Sequence, residues 1–218
     1  MKKRILLTTA LFLAIFIVNP SCSAQTGTVS TGLEVLRESG FEVLKGKRVG
    51  LITNPTGVDH ELRSGVDILF RAPGVKLVAL YGPEHGVRGE YTAGEIIGSS
   101  VDPATGLKVY SLYGTTRKPT KAMLEGIDVL VYDIQDIGSR SYTFISTLGL
   151  AMEAAAENGI PFMVLDRPNP LGGVRMEGPL VEPGFTSFVS QYPIPYVHAM
   201  TTGELAAFLN GEGLLANG

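Results

Sequence analysis

The sequence has no tryptophan and one cysteine, Cys22. A single thiol near the N-terminus leaves nothing with which to build a disulfide, a thiolate metal site or a cysteine nucleophile in the body of the chain. Several signatures are also missing. No GxGxxG follows the first apolar run, which argues against a dinucleotide site. No GxxxxGK[ST] loop and no GxSxG elbow occur, which argues against a P-loop nucleotide site and the commonest serine-hydrolase form of an α/β fold. Glu84, His85, Asp133 and Asp136 are metal-ligating types, but the helix-spaced HExxH is absent and no metal or cofactor is expected. The chain also lacks charge blocks, repeats and low-complexity tracts. Its net charge of −3 disfavours nucleic acid and anionic membrane surfaces as partners.

The N-terminus carries a clear pattern. Lys2, Lys3 and Arg4 precede an apolar run from Ile5 to Val18, broken only by Thr8 and Thr9. This reads as the basic and hydrophobic regions of an export signal, too short for a membrane-spanning helix of about 20 apolar residues. Two outcomes stand at its end. Cys22-Ser23-Ala24 offers small residues for cleavage after Ala24, and Cys22 sits where a lipid-bearing cysteine would, although Asn19-Pro20-Ser21 lacks the usual apolar residue. The protein is expected outside the cytoplasm: periplasmic, lipid-anchored or secreted. Cleavage after Ala24 leaves 194 residues and takes the net charge to −6, since the leader carries three basic and no acidic residues. That length suits one domain, with the start of a second. Residues 25–31 read as a flexible lead-in, 32–195 as the main domain and 196–218 as the beginning of a further region.

Compact apolar runs then alternate with helical patterns. Strands are predicted at Val49–Thr53, Val75–Tyr81, Val109–Tyr113, Val129–Tyr132 and Phe162–Leu165. Helices are predicted over Gly32–Leu44, Leu62–Phe70, Thr120–Leu124 and Tyr142–Glu157, the last closed by Asn158-Gly159. Another starts at Gly203, capped by Thr201 or Thr202. Alternating β and α predicts an α/β, doubly wound, mostly parallel sheet with helices on both faces; a mixed α+β sheet is the alternative. Residues 167–196, rich in proline and glycine, read as extended loops.

Ligands of open α/β sheets bind at the carboxyl ends of the strands. The first strand is followed by Asn54, the second by Glu84 and His85. The fourth is followed by Asp133, Gln135, Asp136, Arg140 and Tyr142, and the fifth by Asp166, Arg167 and Asn169. Their joint placement points to a polar substrate. Carboxylates with no nucleophile elbow suit glycosidic cleavage, in which one acid protonates the leaving oxygen and a second group stabilises or attacks the anomeric carbon. Each residue also has an ordinary reading. Glu84 is then a solvated turn residue, His85 a structural histidine, Asp133 and Asp136 are helix caps paired with Arg140, and Asp166-Arg167 is an internal ion pair. His60 and His198 read first as surface or supporting histidines.

Four segments carry a resemblance: Gly50-Leu51-Ile52-Thr53-Asn54-Pro55-Thr56-Gly57, Tyr81-Gly82-Pro83-Glu84-His85-Gly86, Val131 to Arg140, and Leu165-Asp166-Arg167-Pro168-Asn169-Pro170. With His198 to Leu205 they resemble the hallmark segments of the NamZ-like exo-β-N-acetylmuramidases, in family order. The resemblance implies a Rossmann-like N-terminal domain, a smaller C-terminal domain missing or only begun here, and a cleft between them. It implies release of N-acetylmuramic acid from the non-reducing ends of peptidoglycan fragments (muropeptides), with Glu84 catalytic. On that footing Glu84 is the expected general acid and should be largely buried, with His85, Asp133 and Asp136 tuning it or positioning water. Asn54, Gln135, Arg140, Tyr142, Asp166, Arg167, Asn169 and His198 are expected to bind sugar, the arginines taking the lactyl carboxylate. A non-catalytic, muropeptide-binding exported lipoprotein is the alternative. Apolar surface is expected to be left uncovered after about Pro195.

Overall fold

The computed structural model describes residues 29–92, 94–95 and 98–216. The export signal, Cys22 and most of the lead-in lie outside the described residues. Among the described residues, no helix is long and apolar enough to cross a membrane.

Helix α1 (Gly32–Glu38) leads into strand β1 (Arg48–Thr53), then α2 (Gly65–Phe70), β2 (Lys76–Gly82), a two-residue β3 (Ser100–Val101), β4 (Lys108–Ser111), β5 (Val129–Asp133), α3 (Phe144–Glu157), β6 (Phe162–Val164) and α4 (Thr202–Gly211). The sheet order is β3-β4-β2-β1-β5-β6. Every pairing is parallel except β3 with β4. The chain thus winds outward from β1 to β4 on one side, then restarts at β5 on the other. The switch point falls between β1 and β5, where such sheets open a crevice at their carboxyl edge.

Strand periodicity divides the core in two. Val49 and Leu51 of β1, with Val129 and Val131 of β5, point to one face, where Leu33, Leu36, Val66 and Leu69 of α1 and α2 cover them. Ile52, Leu130 and Tyr132 point to the other, under Ile145, Leu148 and Ala151 of α3 and Leu205 and Leu209 of α4. Central strands buried on both faces read as continuous apolar runs for this reason. Each fully buried leucine, isoleucine or valine contributes about 1.5–3 kcal/mol of transfer free energy, so two such layers hold a fold that has no disulfide. The buried tyrosines keep their hydroxyls paired: Tyr81 donates to the Met123 carbonyl at 2.6 Å, and Tyr132 to the Phe144 carbonyl at 3.0 Å. Gly50 makes room for the first, since a Cβ there would lie 2.9 Å from the Tyr81 ring.

The helices depart from expectation in three places. α1 stops at Glu38 because Gly40 and Phe41 both take positive φ, which breaks the helix and leaves Val43 exposed on a short 3-10 turn. Thr120–Leu124 is a turn, not a helix; its amides bond back to Thr120 and Lys121, and Gly126 at φ 79° ends it. The segment after Pro195 is better supported than expected. Thr201 caps α4 in a reciprocal capping box with Glu204, and Leu205, Leu209 and Leu215 are buried. Tyr196 and Phe208 stay exposed there, as expected, and further uncovered apolar side chains gather earlier, at Leu171, Val174, Met176, Leu180, Phe185 and Val189.

Candidate active site

Because β1, β2, β4, β5 and β6 run parallel, their carboxyl ends share one edge, and the polar segments expected there converge on it. At the end of β1, Thr53 donates its hydroxyl to the Asp133 carbonyl at 2.8 Å, joining the two strands at the switch point. Asn54 is buried and spent on the turn, its side-chain oxygen accepting from the amide and hydroxyl of Thr56. Thr56 in turn accepts from the Gln135 amide at 2.9 Å. The Gln135 side chain donates to the carbonyls of Asp136 and Pro168, strapping the loop after β5 to the loop after β6.

Glu84 and His85 sit on the turn that succeeds β2, closed by the Gly86 amide on the Pro83 carbonyl at 3.0 Å. His85 adopts φ 74°, a left-handed conformation that a residue with a Cβ holds at a cost of about 1–3 kcal/mol and that gathers at functional sites. Its Nδ1 lies 3.3 Å from the Tyr91 carbonyl, to which it donates. Glu84 is half-buried, less than its expected role asked for. One carboxylate oxygen accepts from the Gly94 amide at 3.3 Å and the other from the Thr143 hydroxyl at 3.2 Å, at the start of α3. The Tyr113 hydroxyl, just past β4, also faces this carboxylate, and the contact raises the Tyr113 pKa.

The two aspartates after β5 are committed inward. Asp133 is fully buried; Oδ1 accepts from Nε of Arg167 at 2.7 Å, and Oδ2 has no hydrogen-bond partner among the described residues. Burial pushes its carboxyl up, and the guanidinium pulls it down without prevailing. Arg167, itself 5% exposed, also donates to the Val58 carbonyl at 3.0 Å. The internal ion pair anticipated as the ordinary reading therefore exists, but with Asp133 and not Asp166 as its acid. Asp136 accepts from the Gly138 amide at 2.7 Å and from Nε2 of buried His198 at 3.2 Å. His198 Nδ1 accepts from the Met200 amide, which places the ring proton on Nε2. Asp166 accepts from the Thr201 hydroxyl and the Gly203 amide, anchoring the start of α4.

Of the remaining candidates, Arg140 donates to the carbonyls of Pro179 and Ile194 and lies over the Tyr196 ring, so it fastens the 179–196 loop instead of facing open solvent. Asn169 bridges the Leu171 amide and the Met200 carbonyl. Tyr142 is exposed beside Phe144. A cavity of about 640 Å³ lies behind the rim between α1 and β6 and is lined by Val35, Leu36, Val164 and Leu165; neither Glu84 nor His85 lines it. Among the described residues, no three His, Cys, Asp or Glu side chains gather as a metal site.

Sequence reasoning missed Tyr113 and Thr143, the neighbours of Glu84. The rule that reads strand ends applies equally to β4 and would have found Tyr113. Thr143 shows itself only as a hydroxyl directly before a helix.

The model of the family described as exo-beta-N-acetylmuramidase NamZ, N-terminal, matches residues 49–217. The peptidoglycan beta-N-acetylmuramidase NamZ of Bacillus subtilis (strain 168) is 58% identical over 190 residues, which is 87% of this chain and 46% of that relative. A DUF1343 family protein of Bacteroides fragilis NCTC 9343, known from its crystal structure, superimposes with a TM-score of 0.81 at 64% identity, covering 86% of this chain and 47% of its own. A second such protein from the same organism gives a TM-score of 0.75 at 37% identity, covering 88% and 49%. The chain thus spans about half the length of the relatives it matches.

Proposed function

The chain belongs to the exo-β-N-acetylmuramidase NamZ family through that family's N-terminal domain, and from this premise we propose that it hydrolyses the glycosidic bond holding N-acetylmuramic acid at the non-reducing end of peptidoglycan fragments. The observation that carries the reading is the setting of Glu84. It is a half-buried carboxyl on the carboxyl edge of the sheet, held at both oxygens by the Gly94 amide and the Thr143 hydroxyl, on a turn strained at His85. Glu84 protonates the leaving oxygen, and His85, the next residue along the turn, orients water. Asp133 is sealed in its ion pair and Asp136 is held by His198. That arrangement favours a route in which the substrate's own 2-acetamido oxygen attacks the anomeric carbon as Glu84 gives up its proton. Asp133, Asp136, Asp166, Gln135 and Asn169 then serve by fixing the strand-end loops.

We also place the protein outside the cytoplasm. The basic start at Lys2–Arg4 and the apolar run to Val18 support export, with Cys22 as the acceptor if a lipid is attached. Incubating the purified chain with a synthetic disaccharide ending in N-acetylmuramic acid tests the activity. Free N-acetylmuramic acid should appear and should be lost in Glu84→Gln. Substrate binding without any release of that sugar from the wild-type chain would leave a binding protein and overturn the hydrolase.

A further inference from the structure

Muramic acid differs from glucosamine by a lactyl ether that ends in a carboxylate. A site that selects it needs a cation with free donors near the reacting bond. The two arginines the sequence offered are unavailable: Arg167 is buried against Asp133, and Arg140 is bound to loop carbonyls. Arg88 is also committed, held between Asp67 and Asp102.

Arg117 differs. It is exposed, its guanidinium lies over the Phe188 ring at 4.4 Å, and among the described residues it pairs with no carboxylate. Phe188 is pinned to α3, whose Ser146 hydroxyl donates to its carbonyl at 2.6 Å. Its ring is 6.3 Å from that of Tyr113, whose hydroxyl faces Glu84. Glu84, Tyr113, Phe188 and Arg117 therefore form a continuous line along the carboxyl edge, from acid through two aromatic faces to a free guanidinium. Aromatic faces suit the apolar side of a pyranose ring, and a stacked guanidinium keeps its planar fork free for a carboxylate.

We propose that Arg117, held flat on the Phe188 ring, reads the lactyl carboxylate of the terminal N-acetylmuramic acid, with Tyr113 as the platform for its sugar ring. This rests on the reading of the site as a muramic acid site, and the test separates the two. Free N-acetylmuramic acid and free N-acetylglucosamine are titrated into the purified chain and followed by nuclear magnetic resonance. Wild type should prefer the acidic sugar. Arg117→Ala should bind it about 10- to 100-fold more weakly, the usual worth of a charge-assisted hydrogen-bonded pair, and leave N-acetylglucosamine unchanged. Arg117→Lys should fall between, since it keeps the charge and loses the fork. An Arg117→Ala variant that retains the preference, or a wild type with none, overturns the proposal. Binding through Arg117 without hydrolysis of any disaccharide supports the anchor and sinks the hydrolase; hydrolysis indifferent to Arg117 does the reverse.

Discussion

Arg167 donates from Nε to Oδ1 of Asp133 across 2.7 Å, with the two side chains 5% and 0% exposed. The same guanidinium reaches the Val58 carbonyl, and the Asp133 carbonyl accepts from Thr53. One buried pair therefore ties the ends of β1, β5 and β6 together at the switch point of the sheet. It holds the edge on which Glu84 lies.

Removing Arg167 leaves a sealed carboxylate with no counter-ion. Arg167→Met should cost about 3–5 kcal/mol in urea unfolding, and Arg167→Met combined with Asp133→Asn much less, because breaking a buried pair is worse than replacing it. The pH dependence has a definite sign. Burial already raises the Asp133 carboxyl, and without the guanidinium it rises further. A carboxyl raised in the folded state supports the fold below its unfolded pKa and loses that support as pH rises through the folded value. The deficit of Arg167→Met should therefore grow from acid to neutral pH. A deficit that is flat with pH, or under about 1 kcal/mol, would show that Asp133 does not depend on this partner.

Glu34 has the opposite sign. The Thr31 amide first, then the His60 side chain, hold its carboxyl down at about 2, from a usual value of 4.5. Its contribution is present above the unfolded pKa and is lost as pH falls toward the folded one. The melting temperature of Glu34→Gln should lie below that of wild type at neutral pH, and the gap should close as pH drops from about 4.5 to about 2. A gap that stays constant over that range would detach Glu34 from the acid limb.

Locality decides how much of the fold was legible in the sequence. Strands buried on both faces announce themselves as short apolar runs, and once the sheet is parallel the residues just past each run are forced onto one edge. Val49–Thr53 leading to Asn54, and Val129–Tyr132 leading to Asp133, are legible in that way. Partners are not. Asp133 read equally well as a helix cap beside Arg140 or as part of a site, and its true partner lies 34 residues on, across β6. Asp166 next to Arg167 looked like a pair in sequence, yet Asp166 turns to α4 while Arg167 turns to β5. The Thr120–Leu124 turn lacks the length to settle as a helix. α1 ends where Gly40 takes a positive φ, a stop legible in the glycine, but the positive φ that follows on Phe41 is one no residue preference foretells. The Glu84 neighbours Thr143 and Tyr113 come from other strand and helix ends, so only the sheet order brings them together.

Gly149 gives a sign test of packing against propensity. Glycine inside a helix ordinarily costs about 1 kcal/mol relative to alanine, so Gly149→Ala in an open setting would stabilise. Here a Cβ would lie 1.7 Å from the Tyr192 hydroxyl and 2.4 Å from its ring. Tyr192 is buried between α3 and the loop it belongs to, with little room to withdraw. Overpacking of this kind costs about 1–3 kcal/mol. The melting temperature of Gly149→Ala should fall by several degrees, given about 2–4 °C per kcal/mol for a chain of this size. A rise would mean that Tyr192 moves aside freely and that α3 is not keyed to the 179–196 loop.

The proton that Glu84 delivers can be isolated by the choice of leaving group. Both carboxylate oxygens already have donors, the Gly94 amide and the Thr143 hydroxyl. A glutamine there keeps one oxygen to accept and a size that fits, so Glu84→Gln should fold and bind sugar as wild type does. It has no acidic proton. General acid catalysis is worth about 10²–10⁴-fold, but only where the leaving group needs protonation. On a poor leaving group, such as a sugar hydroxyl, the variant should lose that factor in kcat. On a nitrophenyl leaving group, which departs without a proton, it should keep most of its rate. Equal losses on both would place Glu84 in binding or charge stabilisation, and near wild-type turnover of the sugar leaving group would remove it from the chemistry.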